Sequence, residues 1–167
     1  MTQYAGRAIV FGDDIDTDLM MPGKALRAPV AEVRQMLFDA VRPAFASEVR
    51  PGDIIVGGMR FGTGSARPVA LHLAAMGVRA IVAESMSSLF QRNSINAGVL
   101  AVVVPGVTGI VADLDPIEVD DEAGVVRNTT TAAALTFAPL PELARRLIAA
   151  GGIIEQLVAD GYLPPAS

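Results

Sequence analysis

The sequence predicts an α/β domain in which a mixed sheet combines a parallel core with an additional antiparallel β layer. Between residues 54 and 104, short apolar segments alternate with segments of helical periodicity, which is the pattern of parallel strands joined by helices. Beyond residue 108, short β-type segments follow one another with only turn residues between them, which is typical of antiparallel pairing. A chain of 167 residues can bury one core, so a single domain over residues 1–167 is expected.

Prolines delimit the helix predicted in the first third of the chain. Pro29 suits the first turn of a helix, because proline lacks an N–H and holds φ near a helical value, and Pro43 ends it. An acidic segment and a turn with an exposed loop, which carries Lys24 and Arg27, precede this helix. The elements predicted here are a strand at residues 7–11, the helix at residues 29–41 and a buried strand at residues 54–56.

Glycines mark the ends of the helices predicted in the rest of the chain. Gly77, Gly98 and the pair 151–152 each follow a stretch of helical periodicity, and glycine accepts the left-handed conformation that ends a helix. The helices are predicted at residues 70–76, 87–96, 141–150 and 153–160. The strands are predicted at residues 78–83 and 99–104 in the parallel core, and at residues 109–114, 117–120, 124–128 and 135–139 in the antiparallel layer.

Composition excludes several classes of protein. A net charge of −5, without a basic cluster, argues against nucleic-acid binding, and the absence of cysteine removes thiolate chemistry and Cys-ligated metals from this chain. No apolar run approaches the ~18–20 residues of a membrane-spanning helix, and residues 1–7 do not resemble a signal peptide, so a soluble cytoplasmic protein is expected. Only 19% of residues are charged, which indicates apolar surface for a partner.

Four aspartates lie between residues 13 and 18, and three interpretations of this acidic segment are open. Calcium binding is one, although the segment lacks the glycine and the closing glutamate of an EF-hand loop. A solvated turn and a role in an active site are the others. Asp18 is followed by Leu19, Met20 and Met21, which would draw it inward, and a buried aspartate needs a cation or hydrogen-bond donors.

The glycine loop, residues 60–67, joins a predicted strand to a predicted helix and is the strongest candidate site. Gly62 and Gly64 permit a tight turn with uncovered N–H groups, and such amides near a helix start suit an anion. Arg67 adds a bidentate clamp for a carboxylate, and Ser65 supplies a hydroxyl. The alternative is a purely structural turn. The single histidine, His72, lies in an apolar helix and is interpreted as a core or boundary residue.

Several motifs, in order along the chain, resemble the small subunits of 3-isopropylmalate dehydratase, the swivel domain of the aconitase superfamily. The glycine loop carries the first of them, Phe-Gly-Thr-Gly-Ser-Ala-Arg. The acidic segment and the region 128–152 resemble the two ends of the same family, so the resemblance spans nearly the whole chain. The remaining motifs are Ala-Glu-Ser at 83–85, Leu-Phe-Gln-Arg-Asn at 89–93 and Asn-Ala-Gly at 96–98.

The resemblance implies a swivelling three-layer β/β/α domain that closes over a large subunit carrying a 4Fe–4S cluster. It implies a hydro-lyase of leucine biosynthesis that acts on a small dicarboxylic hydroxy acid as a heterodimer or heterotetramer, with no metal bound by this chain. Ser65 would be the base that removes the Cα proton. Arg27 and Asp18 would be its catalytic companions. The substrate carboxylate would be bound by Arg67, with Gly62, Thr63 and Gly64 of the same loop.

The chain departs from the family pattern within the glycine loop. A second serine, a glutamate and a histidine of the family are replaced by Ala66, Pro68 and Val69, and a cysteine by Thr63. Because substrate choice in the family is associated with this loop, another substituted malate is an alternative substrate. A non-catalytic anion-binding domain is an alternative of a different class.

Overall fold

The computed structural model describes residues 3–166. Within this part of the chain the strands form one mixed sheet of order β4-β3-β2-β1-β5-β6-β7, which confirms the predicted fold class. The strands are β1 (Gln3–Val10), β2 (Ile54–Gly57), β3 (Ala80–Ala83), β4 (Leu100–Val103), β5 (Pro116–Asp120), β6 (Val125–Asn128) and β7 (Ala134–Thr136).

Helices and a 3-10 helix connect and flank the strands. The described helices include none that is both long enough and apolar enough to cross a membrane. They are α1 (Thr17–Met20), a 3-10 helix (Gly23–Arg27), α2 (Val30–Met36), α3 (Phe45–Glu48), α4 (Val69–Ala75), α5 (Ser88–Asn96), α6 (Val107–Ile110), α7 (Glu142–Ala150) and α8 (Ile153–Ala159).

Strand β1 joins the parallel and antiparallel parts of the sheet. Its last residues, 8–10, pair in parallel with residues 54–56 of β2, while residues 3–7 pair antiparallel with β5. Strands β2, β3 and β4 continue the parallel part, and β5, β6 and β7 the antiparallel part. The carboxyl ends of β1 and β2 therefore lie side by side, which brings the acidic segment next to the glycine loop.

A cluster of buried phenylalanines anchors the acidic segment and the glycine loop to the core. Phe11, which ends the run from β1, stacks on Phe38 with ring centroids 4.5 Å apart. Phe61, in the glycine loop, meets Phe90 of α5 edge-on at 5.8 Å. Such aromatic pairs contribute about 0.5–1.5 kcal/mol beyond their buried area. The glycine loop is thus anchored at Phe61, while residues 64–66 are exposed.

Three sequence predictions about the connections were wrong. Residues 109–114 do not form a strand: α6 and a turn occupy this segment, and Leu114 has a φ of +68°, which no strand residue adopts. The helix predicted to reach residue 41 stops at Met36, since Phe38 has a φ of +56° and donates its N–H to Met20 O at 2.8 Å. The exposed loop at 22–27 is a 3-10 helix whose Ala25 is buried.

Hydrogen bonds to the Glu84 carboxylate explain why α6 forms where a strand was predicted. This carboxylate accepts hydrogen bonds from the Gly106 and Thr108 amides, at 2.6 and 2.9 Å, and from the Thr108 hydroxyl at 2.6 Å. Partial burial opposes ionisation of Glu84, but the Thr108 hydroxyl and the two amides together lower its pKa. The carboxylate thus satisfies amides at the start of α6 that no intrahelical carbonyl can reach.

Gly6 offers a direct test of the junction at β1. A Cβ at this position would lie 2.0 Å from the carbonyl oxygen of Gly52, so Gly6→Ala must displace backbone. We expect a loss of more than about 3 kcal/mol of unfolding free energy, measured by urea denaturation. Gly109→Ala is the matched control, because a Cβ there meets nothing within 4 Å; equal stability of the two variants would contradict the close approach.

Candidate active site

The candidate site is a two-loop platform formed by residues 12–21 after β1 and residues 58–67 after β2. Ligands of open α/β sheets bind outside the carboxyl ends of the strands, which is where both segments lie. Backbone hydrogen bonds join them at several points. These are Asp14 N to Met59 O (2.8 Å), Gly62 N to Ile15 O (2.8 Å) and Thr17 N to Thr63 O (2.8 Å).

The segment after β3 holds the glycine loop from the other side. Ser85 accepts hydrogen bonds from the Arg60 amide at its Oγ (2.7 Å) and from the Phe61 amide at its carbonyl (3.1 Å). Gly62 has a φ of +74°, and a Cβ there would lie 2.3 Å from the Phe90 ring. Glycine is therefore required at position 62, because the backbone has a positive φ and because the Phe90 ring leaves no room for a side chain.

The four aspartates of the acidic segment have separate partners. Asp13 accepts the Met59 amide at 2.7 Å, and Asp16 caps α1 by accepting the Leu19 amide at 2.8 Å. A hydrogen bond from the Arg60 guanidinium, at 2.8 Å from Nη2, lowers the pKa of Asp14. Among residues 3–166 no group of three or more side chains is arranged to hold a metal ion, so the geometry does not support the calcium interpretation.

Arg67 is the centre of the platform. Its Nε lies 3.3 Å from Ser65 Oγ, its Nη1 donates to the Met21 carbonyl, and its Nη2 pairs with Asp18 Oδ1 at 2.7 Å. The Arg67 side chain is 16% exposed, whereas that of Asp18 is 65% exposed. The expectation that Asp18 is drawn inward was wrong. Asp18 stays at the surface because Leu19 and Met20 turn toward the core and the guanidinium is the more buried partner.

Ser65 lies at the exposed rim of the platform. Among the described residues the only hydrogen-bond partner of its hydroxyl is Arg67. The amides of Thr63, Gly64, Ser65 and Ala66 likewise have no acceptor in this part of the chain. A hydroxyl beside a guanidinium, in a loop with four free amides, can receive a carboxylate and stabilise negative charge on oxygen.

Arg27 stands apart from this set. It ends the 3-10 helix, and its side chain is exposed and makes no hydrogen bond or ion pair with any residue between 3 and 166. The structure thus brings together Asp18, Ser65, Arg67 and the glycine loop but not Arg27, and the roles of all these residues stay predictions. His72 is half-buried on α4, as expected for a boundary residue, and burial followed by the charge of Arg34 lowers its pKa.

The sequence reasoning missed a cleft beside the glycine loop. It has a volume of about 400 Å³ and lies between the loop, α4, α5 and α8. Helix α8 contains no buried residue, although four of its seven residues are isoleucine, leucine or valine. The hydrophobic residues after the glycine pair at 151–152 were the available signal. The lining residues are Ala66, Arg67, Pro68, Ala70, Leu71, Asn93, Asn96, Ala97, Ile153 and Ile154.

Comparison with known proteins adds an independent line of evidence. The profile of the aconitase C-terminal domain matches residues 22–106. Over 160 residues the chain is 42% identical to a protein of Methanopyrus kandleri named 3-isopropylmalate dehydratase small subunit 1, covering 93% of each chain. It is 38% identical to the isopropylmalate/citramalate isomerase small subunit of Methanocaldococcus jannaschii, covering 91% of this chain and 92% of that protein.

A solved structure agrees with the sequence relatives. The crystal structure of a 3-isopropylmalate dehydratase from Methanocaldococcus jannaschii superposes with a TM-score of 0.87 at 31% identity, covering 96% of both chains. Sequence and structure therefore match over nearly the full length of both proteins. The chain belongs to the family of 3-isopropylmalate dehydratase small subunits, within the aconitase superfamily.

Proposed function

We propose that the chain is the small subunit of a hydro-lyase that interconverts 2-isopropylmalate and 3-isopropylmalate by dehydration and rehydration, a step of leucine biosynthesis. The observation that carries the proposal is the arrangement around Arg67. One guanidinium contacts a serine hydroxyl, an aspartate and a backbone carbonyl beside four free amides. This arrangement occurs in a chain 42% identical to dehydratase small subunits.

Ser65 is proposed to move the proton. A serine hydroxyl is a weak base at its ordinary pKa, so it must react as an alkoxide stabilised by nearby positive charge and N–H donors. The Arg67 Nε at 3.3 Å provides the charge. In the dehydration, the Ser65 oxygen takes the Cα proton, the C–H electron pair forms the C=C bond, and hydroxide leaves the adjacent carbon. Rehydration reverses these steps with the hydroxyl on the other carbon.

Arg67 and the loop amides are proposed to bind one substrate carboxylate. The Nη2 pairs with Asp18, whose side chain is 65% exposed, so a substrate carboxylate can share this guanidinium with the aspartate. Gly62, Thr63 and Gly64 shape the backbone that presents the amides. Arg27 is proposed to approach from the 3-10 helix once substrate is bound.

The donor set of this chain does not fit an iron–sulfur cluster. Such clusters are held by thiolates, and the sequence has no cysteine. The platform also offers no group of metal ligands within residues 3–166. We therefore propose that a 4Fe–4S cluster, which would act on the leaving hydroxyl, is carried by a large subunit. The steps assigned to this chain are proton transfer and carboxylate binding.

The cleft beside the glycine loop is proposed to receive that large subunit. Leu71 and Ile154 are 61% and 56% exposed, and the cleft shares Ala66 and Arg67 with the platform. The subunit that brings the cluster to Ser65 must meet this face. Its lining contains no carboxylate, although the chain as a whole has a net charge of −5. An apolar partner surface is thus expected here.

Replacing Ile154 with aspartate tests the docking surface. A charge buried in an apolar interface is expected to weaken association with the large subunit by about tenfold or more, measured by titration calorimetry. Leu114→Asp is the matched control. Leu114 is 48% exposed, lies outside the cleft, and has a positive φ that aspartate tolerates. Equal affinity of the two variants would exclude the cleft as the docking surface.

The function itself is tested by reconstitution. The chain is co-expressed anaerobically with the large subunit encoded beside it, and alkene formation from 3-isopropylmalate is followed by absorbance. Citramalate is the second substrate to assay, because a relative is named isopropylmalate/citramalate isomerase and this glycine loop is altered at positions 66, 68 and 69. No turnover of either acid by an assembled, cluster-loaded complex would favour the non-catalytic alternative.

A further inference from the structure

Thr17 carries a buried hydroxyl that the proposed mechanism does not use. Thr17 is 2% exposed, and its Oγ1 has no hydrogen-bond partner among the described residues. A buried unsatisfied hydroxyl costs about 1–3 kcal/mol, and such a group in a native protein calls for an explanation. A valine would fill the same space without that cost, so stability alone does not favour threonine.

The hydroxyl faces the glycine loop one residue before Ser65. The Thr17 amide already donates to the Thr63 carbonyl at 2.8 Å. A Cβ on Gly64 would lie 3.0 Å from Thr17 Oγ1, and Gly64 has a φ of +103°, so the hydroxyl leaves no room for a side chain at this point of the loop. Thr17 Oγ1 thus lies close to Gly64, whose carbonyl belongs to the peptide that leads into Ser65.

Helix α1 and the residue after it fix the rest of the loop. Asp18 pairs with Arg67, and Met21, directly after α1, accepts a hydrogen bond from the same guanidinium. The Thr17 hydroxyl is the polar group of this stretch that is both buried and without a partner within residues 3–166. This hydroxyl is therefore available for a hydrogen bond that forms only when the glycine loop has bound an anion.

We propose that Thr17 is a positioning residue for the dehydration: its hydroxyl donates to the Gly64 carbonyl when a carboxylate occupies the loop. The carbonyl of Gly64 and the N–H of Ser65 belong to one peptide and point in opposite directions. A hydrogen bond donated to the Gly64 carbonyl holds this peptide so that the Ser65 N–H points at the bound anion. The same hydrogen bond polarises the peptide. The Ser65 side chain is oriented by the same contact. This inference rests on the proposed function.

The test compares Thr17→Val with Thr17→Ser in the assembled, cluster-loaded complex. Valine is expected to lower kcat by about tenfold to a hundredfold with a KM within about threefold of wild type, because the groups that bind the carboxylate remain. Serine, which keeps the hydroxyl, is expected to restore most of kcat. The melting temperature of the Thr17→Val chain alone is expected to equal or exceed that of wild type, since an unsatisfied hydroxyl is removed.

The outcomes separate this inference from the function. A Thr17→Val complex as active as wild type would overturn the positioning role and leave the proposed function intact. A variant that loses melting temperature and assembly together with kcat would also overturn it, since that is the behaviour of a packing residue. If the wild-type complex does not turn over 3-isopropylmalate or citramalate, the proposed function fails and the inference fails with it.

Discussion

Replacing Ser65 with alanine is expected to lower kcat of the assembled complex by a factor of about 10²–10⁴, the range that a positioned proton-transfer group contributes. The variant loses the one hydroxyl that contacts Arg67 Nε and keeps the loop amides that are proposed to bind the carboxylate. KM is therefore expected to change little. Initial rates of alkene formation from 3-isopropylmalate provide the measurement.

Because Ser65 is exposed, a loss of activity in Ser65→Ala can be separated from a loss of folding or assembly. The Ser65 side chain is at the surface, and its one described contact is a long hydrogen bond, so alanine should leave the melting temperature and the affinity for the large subunit unchanged. Ser47→Ala is the control: Ser47 is exposed too, and its Oγ donates to the nearby Ala44 carbonyl at 2.9 Å. Near-normal turnover by Ser65→Ala would exclude serine as the base.

The site was predictable from the sequence where its residues are close along the chain. Two glycines, a serine and an arginine within residues 62–67, between a β-type segment and a helical one, already predict a loop suited to an anion. The contact between Arg67 and Asp18 was not predictable from spacing. It requires β1 and β2 to pair in parallel with Val10 opposite Val56, and that register depends on the packing of the whole sheet.

Local patterns failed where a distant side chain decides the structure. Four of the five residues at 107–111 are β-branched, which also suits a strand, but Glu84 accepts hydrogen bonds from the amides that begin α6. The early end of α2 has a similar cause, because the Phe38 amide bonds to Met20. The cleft at α8 was not predicted because the amphipathic pattern of a helix does not show whether its apolar face packs on the core of its own chain or stays exposed.

Arg67 should tolerate even a conservative substitution poorly. A lysine ammonium is a single point of charge, whereas the guanidinium contacts Ser65, the Met21 carbonyl and Asp18 at once, and arginine and lysine are not equivalent at such forked contacts. We expect Arg67→Lys to lower kcat/KM by about 10²–10³. Arg60→Lys is the matched control, because Arg60 also pairs with the acidic segment, at Asp14, but has no hydrogen bond to Ser65, and 56% of its side chain is exposed.

A double-mutant cycle tests whether Asp18 contributes to catalysis by acting through Arg67. If Asp18 acts by orienting the guanidinium, Asp18→Asn lowers kcat/KM by itself but adds little to Arg67→Lys, so the double variant is less impaired than the product of the two single effects. Differences in protein stability should not affect this comparison, because an ion pair with one partner 65% exposed contributes little to folding. Independent, multiplicative losses would show that Asp18 acts on the substrate directly and that Arg67 keeps its position without it.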